Sequence, residues 1–358
     1  MDRNITIEYE KDFKHFQTPE VNYLFNPKTG FMATWGKTQQ EDPDWSPYGP
    51  FIADIEITTK CTGIKGHLCK YCYKANTPAG ENMSFETFQN VLNNINQNKQ
   101  LTQIAFGLGS TATENPDLWK MCEYARSQEV IPNGTVADVT QETANKIAKY
   151  FGACAVSMHL LENPQGREAC YDTVERLVRA GCKQVNIHYV LCEETYEGVW
   201  KTFEDMAKEP RLRGLRALVF LSMKAQGRAK TSNLTPLSRE RFGDIVKKAL
   251  KWNMNIGFDS CTAPKFEAVI DDMQQKSEMT LKTAKKIVQL SERCESGCFS
   301  IYINTDGKIY PCSFLEKGDG IDVVKYREDF CKEVWNGELL PWREKLLKNN
   351  RCCPEYDI

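Results

Sequence analysis

Fifteen cysteines in a chain of 358 residues are the groups most able to do chemistry here. Nine of them fall into three sets: Cys61, Cys69 and Cys72; then Cys294, Cys298 and Cys312; then Cys331, Cys352 and Cys353. The others, Cys122, Cys154, Cys170, Cys182, Cys192 and Cys261, mostly stand alone on apolar segments, where a thiol reads as a small buried hydrophobe. Cys261 fits that description least well. An odd count without an export signal points to metal or cluster ligation and away from a disulfide framework. In Cys61-x7-Cys69-x2-Cys72 the last gap lets two thiolates face one metal from a single turn. Three thiolates are one short of a closed four-thiolate site, and two chemistries fit. A structural zinc could recruit His67 as fourth ligand, or a 4Fe-4S cluster could keep one iron free of protein ligands and open to a substrate. Cys294-x3-Cys298-x13-Cys312 puts two thiols at a helix end and a third past a hairpin, so these too can converge on one metal.

These sets need a scaffold, and from residue 51 the pattern supplies one. Short apolar runs at Phe51 to Thr58, Gln103 to Gly107, near Val130 to Ile131, Ala153 to His159, Gln184 to Leu191, Arg216 to Met223 and Asn255 to Asp259 read as strands. Amphipathic stretches between them predict helices over Ser84 to Asn96, Pro116 to Ser127, Gln141 to Tyr150, Glu168 to Arg179, Tyr196 to Lys208 and Arg239 to Lys251. Ser84 and Thr140 are suited to cap first turns, and Gly181 and Asn253 to end helices. Such βα alternation makes an open doubly wound sheet or a partial barrel, and periodicity does not choose between them. In either, ligands sit at the C-terminal strand ends, which gathers the loops after Thr58, Gly107, His159, Leu191 and Met223. Beyond Lys276 the pattern predicts a helix from Met279 to Arg293 and a hairpin, Phe299 to Asn304 with Lys308 to Pro311, turned by Asp306-Gly307. Ser313 to Ile358 reads as an irregular, metal-stapled tail. Three segments result: 1–50, of unreadable role; 51–260, the βα unit; and 261–358, the cysteine-bearing extension.

Composition narrows the partners. With 41% hydrophobic and 26% charged residues the chain is ordinary for a soluble globular protein. Lys plus Arg number 46 against 48 Asp plus Glu, which disfavours nucleic acid. No apolar run approaches the roughly 20 residues of a membrane helix, and Met1 to Phe16 lacks the form of a signal peptide, so a cytoplasmic location is expected.

Tyr71 directly precedes Cys72, and at this point the sequence resembles the radical S-adenosylmethionine superfamily. Its usual signature is three cysteines spaced x3 and x2 with an aromatic before the third; here the first gap is x7. Gly107-Leu-Gly109 stands where that family carries its glycine-rich motif for the methionyl amine, and Asn133-Gly134-Thr135 resembles an Asn-Gly pair after its third strand. Ser157 matches a position that bonds the cofactor ribose, Asn186 and His188 would face the same cavity, and Gly227-Arg228 resembles a segment near the adenine. Cys298-x8-Gly307-x4-Cys312 resembles the opening of the SPASM or twitch extension, without the later cysteine run of the full SPASM form.

The resemblance implies a partial (β/α)6 TIM-like barrel with a twitch-like extension of hairpin and helix. It also implies a first 4Fe-4S cluster on Cys61, Cys69 and Cys72, S-adenosylmethionine held by Tyr71, Gly107, Gly109, Ser157, Asn186, His188 and Arg228, and an auxiliary cluster on Cys294, Cys298, Cys312 and one of Cys352 or Cys353. The implied activity is reductive cleavage of S-adenosylmethionine to a 5'-deoxyadenosyl radical that takes a substrate hydrogen. Maturation of a ribosomally made peptide is the leading expectation, with a precursor peptide, a separate leader-peptide recognition protein and an electron donor such as flavodoxin or ferredoxin as partners. Action on a small molecule or nucleoside, and a non-catalytic zinc-binding module, are the alternatives.

Overall fold

The computed structural model describes residues 5–38, 41–161, 165–326 and 329–356, and all structural statements refer to these. The first segment folds into an antiparallel meander of β1 (Thr6–Glu10), β2 (Phe13–Gln17), β3 (Asn22–Phe25) and β4 (Met32–Trp35). Its aromatic face packs on the entry of the main sheet: Tyr23 stacks on Phe51 at 4.0 Å between ring centres, and Phe51 in turn on Phe299. Alternation in Phe13–Gln17 buries Lys14 and Phe16 while His15 and Gln17 point away, the period-two pattern of a strand.

Seven strands then follow in parallel: β5 (Ile52–Glu56), β6 (Gln103–Gly107), β7 (Ile131–Val136), β8 (Cys154–Met158), β9 (Val185–Leu191), β10 (Leu215–Ser222) and β11 (Ile256–Phe258). Each pairs with its sequence neighbour. Unbroken order is not the reversed order of a doubly wound sheet, and with right-handed crossovers it sends the connecting helices to one face. Those helices are α1 (Phe85–Ile95), α2 (Leu118–Ser127), α3 (Gln141–Tyr150), α4 (Gly166–Arg179), α5 (Tyr196–Lys208) and α6 (Arg239–Lys251). The Ser84 and Thr140 side chains accept from the Thr87 and Thr143 amides, as their sequence positions suggest. Along β9 the alternation is complete: Val185, Ile187, Tyr189 and Leu191 are buried in the main core, and Asn186, His188 and Val190 face the other side.

After β11 come α7 (Ala263–Gln275) and α8 (Leu281–Val288). The helix expected to reach Arg293 stops at Val288 because the following residues are bound elsewhere: Arg293 pairs with Glu267, and the Cys294 amide donates to Arg351 O at 3.1 Å. The hairpin forms as β12 (Ser300–Ile303) and β13 (Lys308–Tyr310), with Gly307 at φ +77° in the turn, followed by β14 (Ile321–Asp322). It does not stand apart, because β12 pairs in parallel with β5 and extends the sheet to ten strands.

The tail departs from the irregular segment expected. A π-helical stretch, Phe330–Glu338, and α9 (Leu340–Lys348) bury Phe330, Trp335 and Leu346. The Trp335 indole donates to Ser46 O at 2.6 Å, and the buried Arg343 guanidinium lies over Trp45 and Trp335 while donating to Gly297 O. Apolar and cation–π contacts therefore contribute to ordering the tail. Among the described residues no helix is long and apolar enough to cross a membrane.

Candidate functional site

The loop after β5 carries Cys61, Cys69 and Cys72 at the C-terminal edge of the sheet, where side chains from several strand ends can meet. Local hydrogen bonds set its shape: the Gly63 amide reaches Cys61 Sγ at 3.4 Å, and Cys72 N donates to Cys69 O at 3.3 Å. Arg228, from the loop after β10, clamps this segment, donating from Nε to Cys69 O and from a terminal nitrogen to Asn76 O, both at 2.9 Å. Its backbone amide adds a bond to Cys72 O at 3.0 Å. Gly227 makes this approach possible; a Cβ there would stand 2.5 Å from Cys72 O, and its φ is +53°. The Cys72 thiol is brought down to about 6, first by the hydrogen bond from Cys69 and further by Arg228, while Cys69 is pushed up by that same bond and by burial. Cys61 adds to the shift of Cys69 through its charge, so all three thiols share one neighbourhood. His67 is exposed, with its backbone bridged to Ile64.

Around this loop stand the strand-end residues. The Tyr71 hydroxyl donates to Met158 O at 2.9 Å and its ring meets His159 edge-on. Gly107 and Gly109 lie against neighbouring chain: a Cβ would come within 2.8 Å of Glu56 Cα at the first and 2.5 Å of Lys60 O at the second. Lys74 contacts Glu56, Glu316 and the Tyr302 hydroxyl, tying the cysteine loop to the extension. On the open face of the sheet, Ser157 is the register partner of His188, whose Nδ1 lies 3.4 Å from Thr135 Oγ1, and Asn186 Oδ1 is buried without a hydrogen-bond partner. Burial brings His188 down to about 4, so it is neutral near pH 7. Asp54 on β5 is solvent-accessible, yet desolvation pushes its carboxyl up to about 6. Protein crowding around a side chain that still touches solvent gives both.

Cys294 and Cys312 of the second thiol group also have Cys261 and Cys353 in their neighbourhood. Cys261, directly after β11, feels the charges of Cys294 and Cys353; Cys312 feels Cys261 and Cys353; Cys294 feels Cys312 and Cys353. Burial is the main cause that pushes Cys261, Cys294 and Cys312 up to about 12. Buried thiols that would repel one another as thiolates are suited to a cationic centre, which reverses that balance. Cys298 also adds to the shift of Cys294, but its own surroundings are Arg351, Arg343, Asp44 and Glu295. Cys352 turns toward Asn350 O, and Cys331 bonds Pro47 O. Among the described residues no three His, Cys, Asp or Glu side chains close on a single-ion site.

No protein-family model matches the chain, and no curated protein matches it significantly. Among solved structures it is similar to HydG, a maturase of the [FeFe]-hydrogenase, at 14% identity over 55% of this chain with a TM-score of 0.43. That likeness spans about half (48%) of the HydG chain. BtrN, in complex with AdoMet and 2-DOIA, is similar at 10% identity over 83% of this chain and 87% of its own, TM-score 0.42. A radical SAM methyltransferase from Sphaerobacter thermophilus gives 14%, 72%, 77% and 0.38 for the same four quantities. At these scores the likenesses carry no argument, and the functional reading rests on the residues.

Proposed function

We propose that the chain is a radical S-adenosylmethionine enzyme. The observation that carries this is the three-thiol loop at the end of β5, with Tyr71 before the last thiol, clamped by Arg228 at the mouth of a polar interior. Cys61, Cys69 and Cys72 would hold a 4Fe-4S cluster, supplying the electron for reductive cleavage of S-adenosylmethionine and so a 5'-deoxyadenosyl radical. Arg228 keeps the loop in register and favours thiolate. Gly107 and Gly109 let the end of β6 close on Glu56 and Lys60, and Ser157, Asn186 and neutral His188 offer hydrogen bonds without adding charge to the interior. Sequential strand order supports a sheet curled as a partial barrel around that interior. Cys261, Cys294, Cys312 and Cys353 are the ligands we assign to an auxiliary cluster in a twitch-like extension, in place of the set containing Cys298.

A peptide side chain remains the substrate carried forward from the sequence, modified with a reduced electron carrier as partner. The test is metal analysis after anaerobic reconstitution: iron and sulfide for two clusters are expected, with half lost on replacing Cys61, Cys69 and Cys72 by Ala. Stoichiometric zinc without iron overturns the proposal.

A further inference from the structure

One ionisable group on the face of the sheet that carries Ser157, Asn186 and His188 has no role in the account above. Asp54 stands at the middle of β5, a central strand held between β6 and β12. Its neighbours Ala53 and Ile55 lie in the main core with Ile104 and Phe106 of β6, so its carboxyl projects from the opposite face, away from the helices. A carboxylate drawn out of bulk water is normally paired. Asp54 makes no hydrogen bond or ion pair among the described residues, and desolvation acts on it with no cation to offset it.

The groups that could have paired it are engaged elsewhere. Lys74 is shared between Glu56 and Glu316. Tyr302, the register partner of Asp54 on β12, donates its hydroxyl to Glu56 at 2.7 Å. On the other side the register partner is Ala105, and the same face carries Ala217 on β10 and Gly257 on β11. A filled barrel has Val, Ile or Leu at such positions; side chains this short leave Asp54 uncovered, in keeping with its exposure. Asn186 Oδ1, buried and without a hydrogen-bond partner, lies on this face too. The charge of Asp54 is felt by Tyr73, next to Cys72, and by Glu295, next to Cys294, so the carboxylate is within electrostatic reach of both thiol groups.

We infer that Asp54 anchors the substrate through a positively charged nitrogen, an ammonium or guanidinium that supplies the counter-charge the protein itself withholds. This rests on the reading of the chain as a radical S-adenosylmethionine enzyme and names the substrate class for that site. A basic peptide side chain and a small-molecule amine share this chemistry.

The experiment uses the reconstituted, oxidised full chain with S-adenosylmethionine present, so that the ammonium of the cofactor has its own place. At pH 8 an alkylammonium is protonated and Asp54 is ionised. Calorimetric titration compares butylammonium with 1-butanol, and N-acetyl-lysine N-methylamide with N-acetyl-norleucine N-methylamide. Each ammonium should bind about tenfold tighter or more than its neutral counterpart, as a hydrogen bond between charged groups requires. Asp54→Asn should remove that preference and Asp54→Glu keep part of it. Asp54→Asn should also melt no lower than wild type, since it deletes no native bond; a lower melting temperature makes Asp54 a structural residue and overturns the anchor. Tighter binding of the lysine probe assigns the cation to a peptide side chain; tighter binding of butylammonium assigns it to a small molecule. Neutral probes binding as well as the ammoniums, no binding by either ammonium, or an undiminished preference in Asp54→Asn also overturns the anchor. Reductive S-adenosylmethionine cleavage by wild type in the same preparation separates the two ideas: its presence with no ammonium binding removes only the anchor, and its absence removes the enzyme reading.

Discussion

Replacing Arg228 by Met deletes two charge-assisted hydrogen bonds, to Cys69 O and Asn76 O, from the cysteine loop. Bonds from a charged group contribute about 1.5 to 3 kcal/mol each. Arg228 is only half-buried, so water replaces part of that and the lower figure is apt, giving about 3 kcal/mol for the pair. At 1.36 kcal/mol per decade this is about a hundredfold fall in the population of the assembled loop. The assay is a chelator chase on the reconstituted protein, following iron loss from the two clusters by their electron paramagnetic resonance signals. The first cluster should be stripped about a hundredfold more readily than in wild type while the auxiliary signal persists. Arg228→Lys, whose point charge cannot span both carbonyls, should fall between. Had Arg228 served only the adenine of the cofactor, cluster retention would be unchanged and only the S-adenosylmethionine KM would rise; that result refutes the clamp.

Cys261→Ala should cost the auxiliary cluster its iron, whereas Cys298→Ala should keep it; iron analysis with the first cluster as internal standard decides, and the opposite pattern restores the sequence-based ligand set. Gly227→Ala places a Cβ 2.4 Å from Tyr73 O and 2.5 Å from Cys72 O at φ +53°, so reconstitution of the first cluster should fail, and a full complement of iron would contradict the close approach. His159 is 8% exposed, and burial brings its imidazole from 6.5 down to about 4. The unfolded chain then binds the extra proton between those values, so stability is fully present above pH 6.5 and is lost as pH falls toward 4, by about 3 kcal/mol. Denaturant melts from pH 7 to 4 should show this loss and His159→Phe should lack it; equal slopes would place the pH dependence elsewhere.

The βα frame was legible because its signals are local. Gln103–Gly107 and Gln141–Tyr150 run as expected to the residue, since their apolar spacing and the Thr140 cap act within one turn or strand. The first 50 residues were opaque for the opposite reason. Strands such as Thr6–Glu10 are largely exposed, and the meander is ordered by Tyr23 on Phe51 and Phe299, contacts that no short window contains. The tail was misread because Arg343 looks like a surface charge until Trp45, nearly 300 positions earlier, covers it. In the site, the spacing of Cys69 and Cys72 was enough to pair them. Gly227-Arg228 was visible as a motif, but its hold on Cys69, about 160 residues away in sequence, is a tertiary fact.

The central claim, that the loop of Cys61, Cys69 and Cys72 serves reductive cleavage of S-adenosylmethionine, is met most directly by one measurement. Anaerobically reconstituted protein is reduced with dithionite in the presence of S-adenosylmethionine, and 5'-deoxyadenosine is quantified by chromatography. Wild type should form it over several turnovers and Cys69→Ala should form none. No product from an iron-replete wild type, or equal product from the Cys69 variant, contradicts the account.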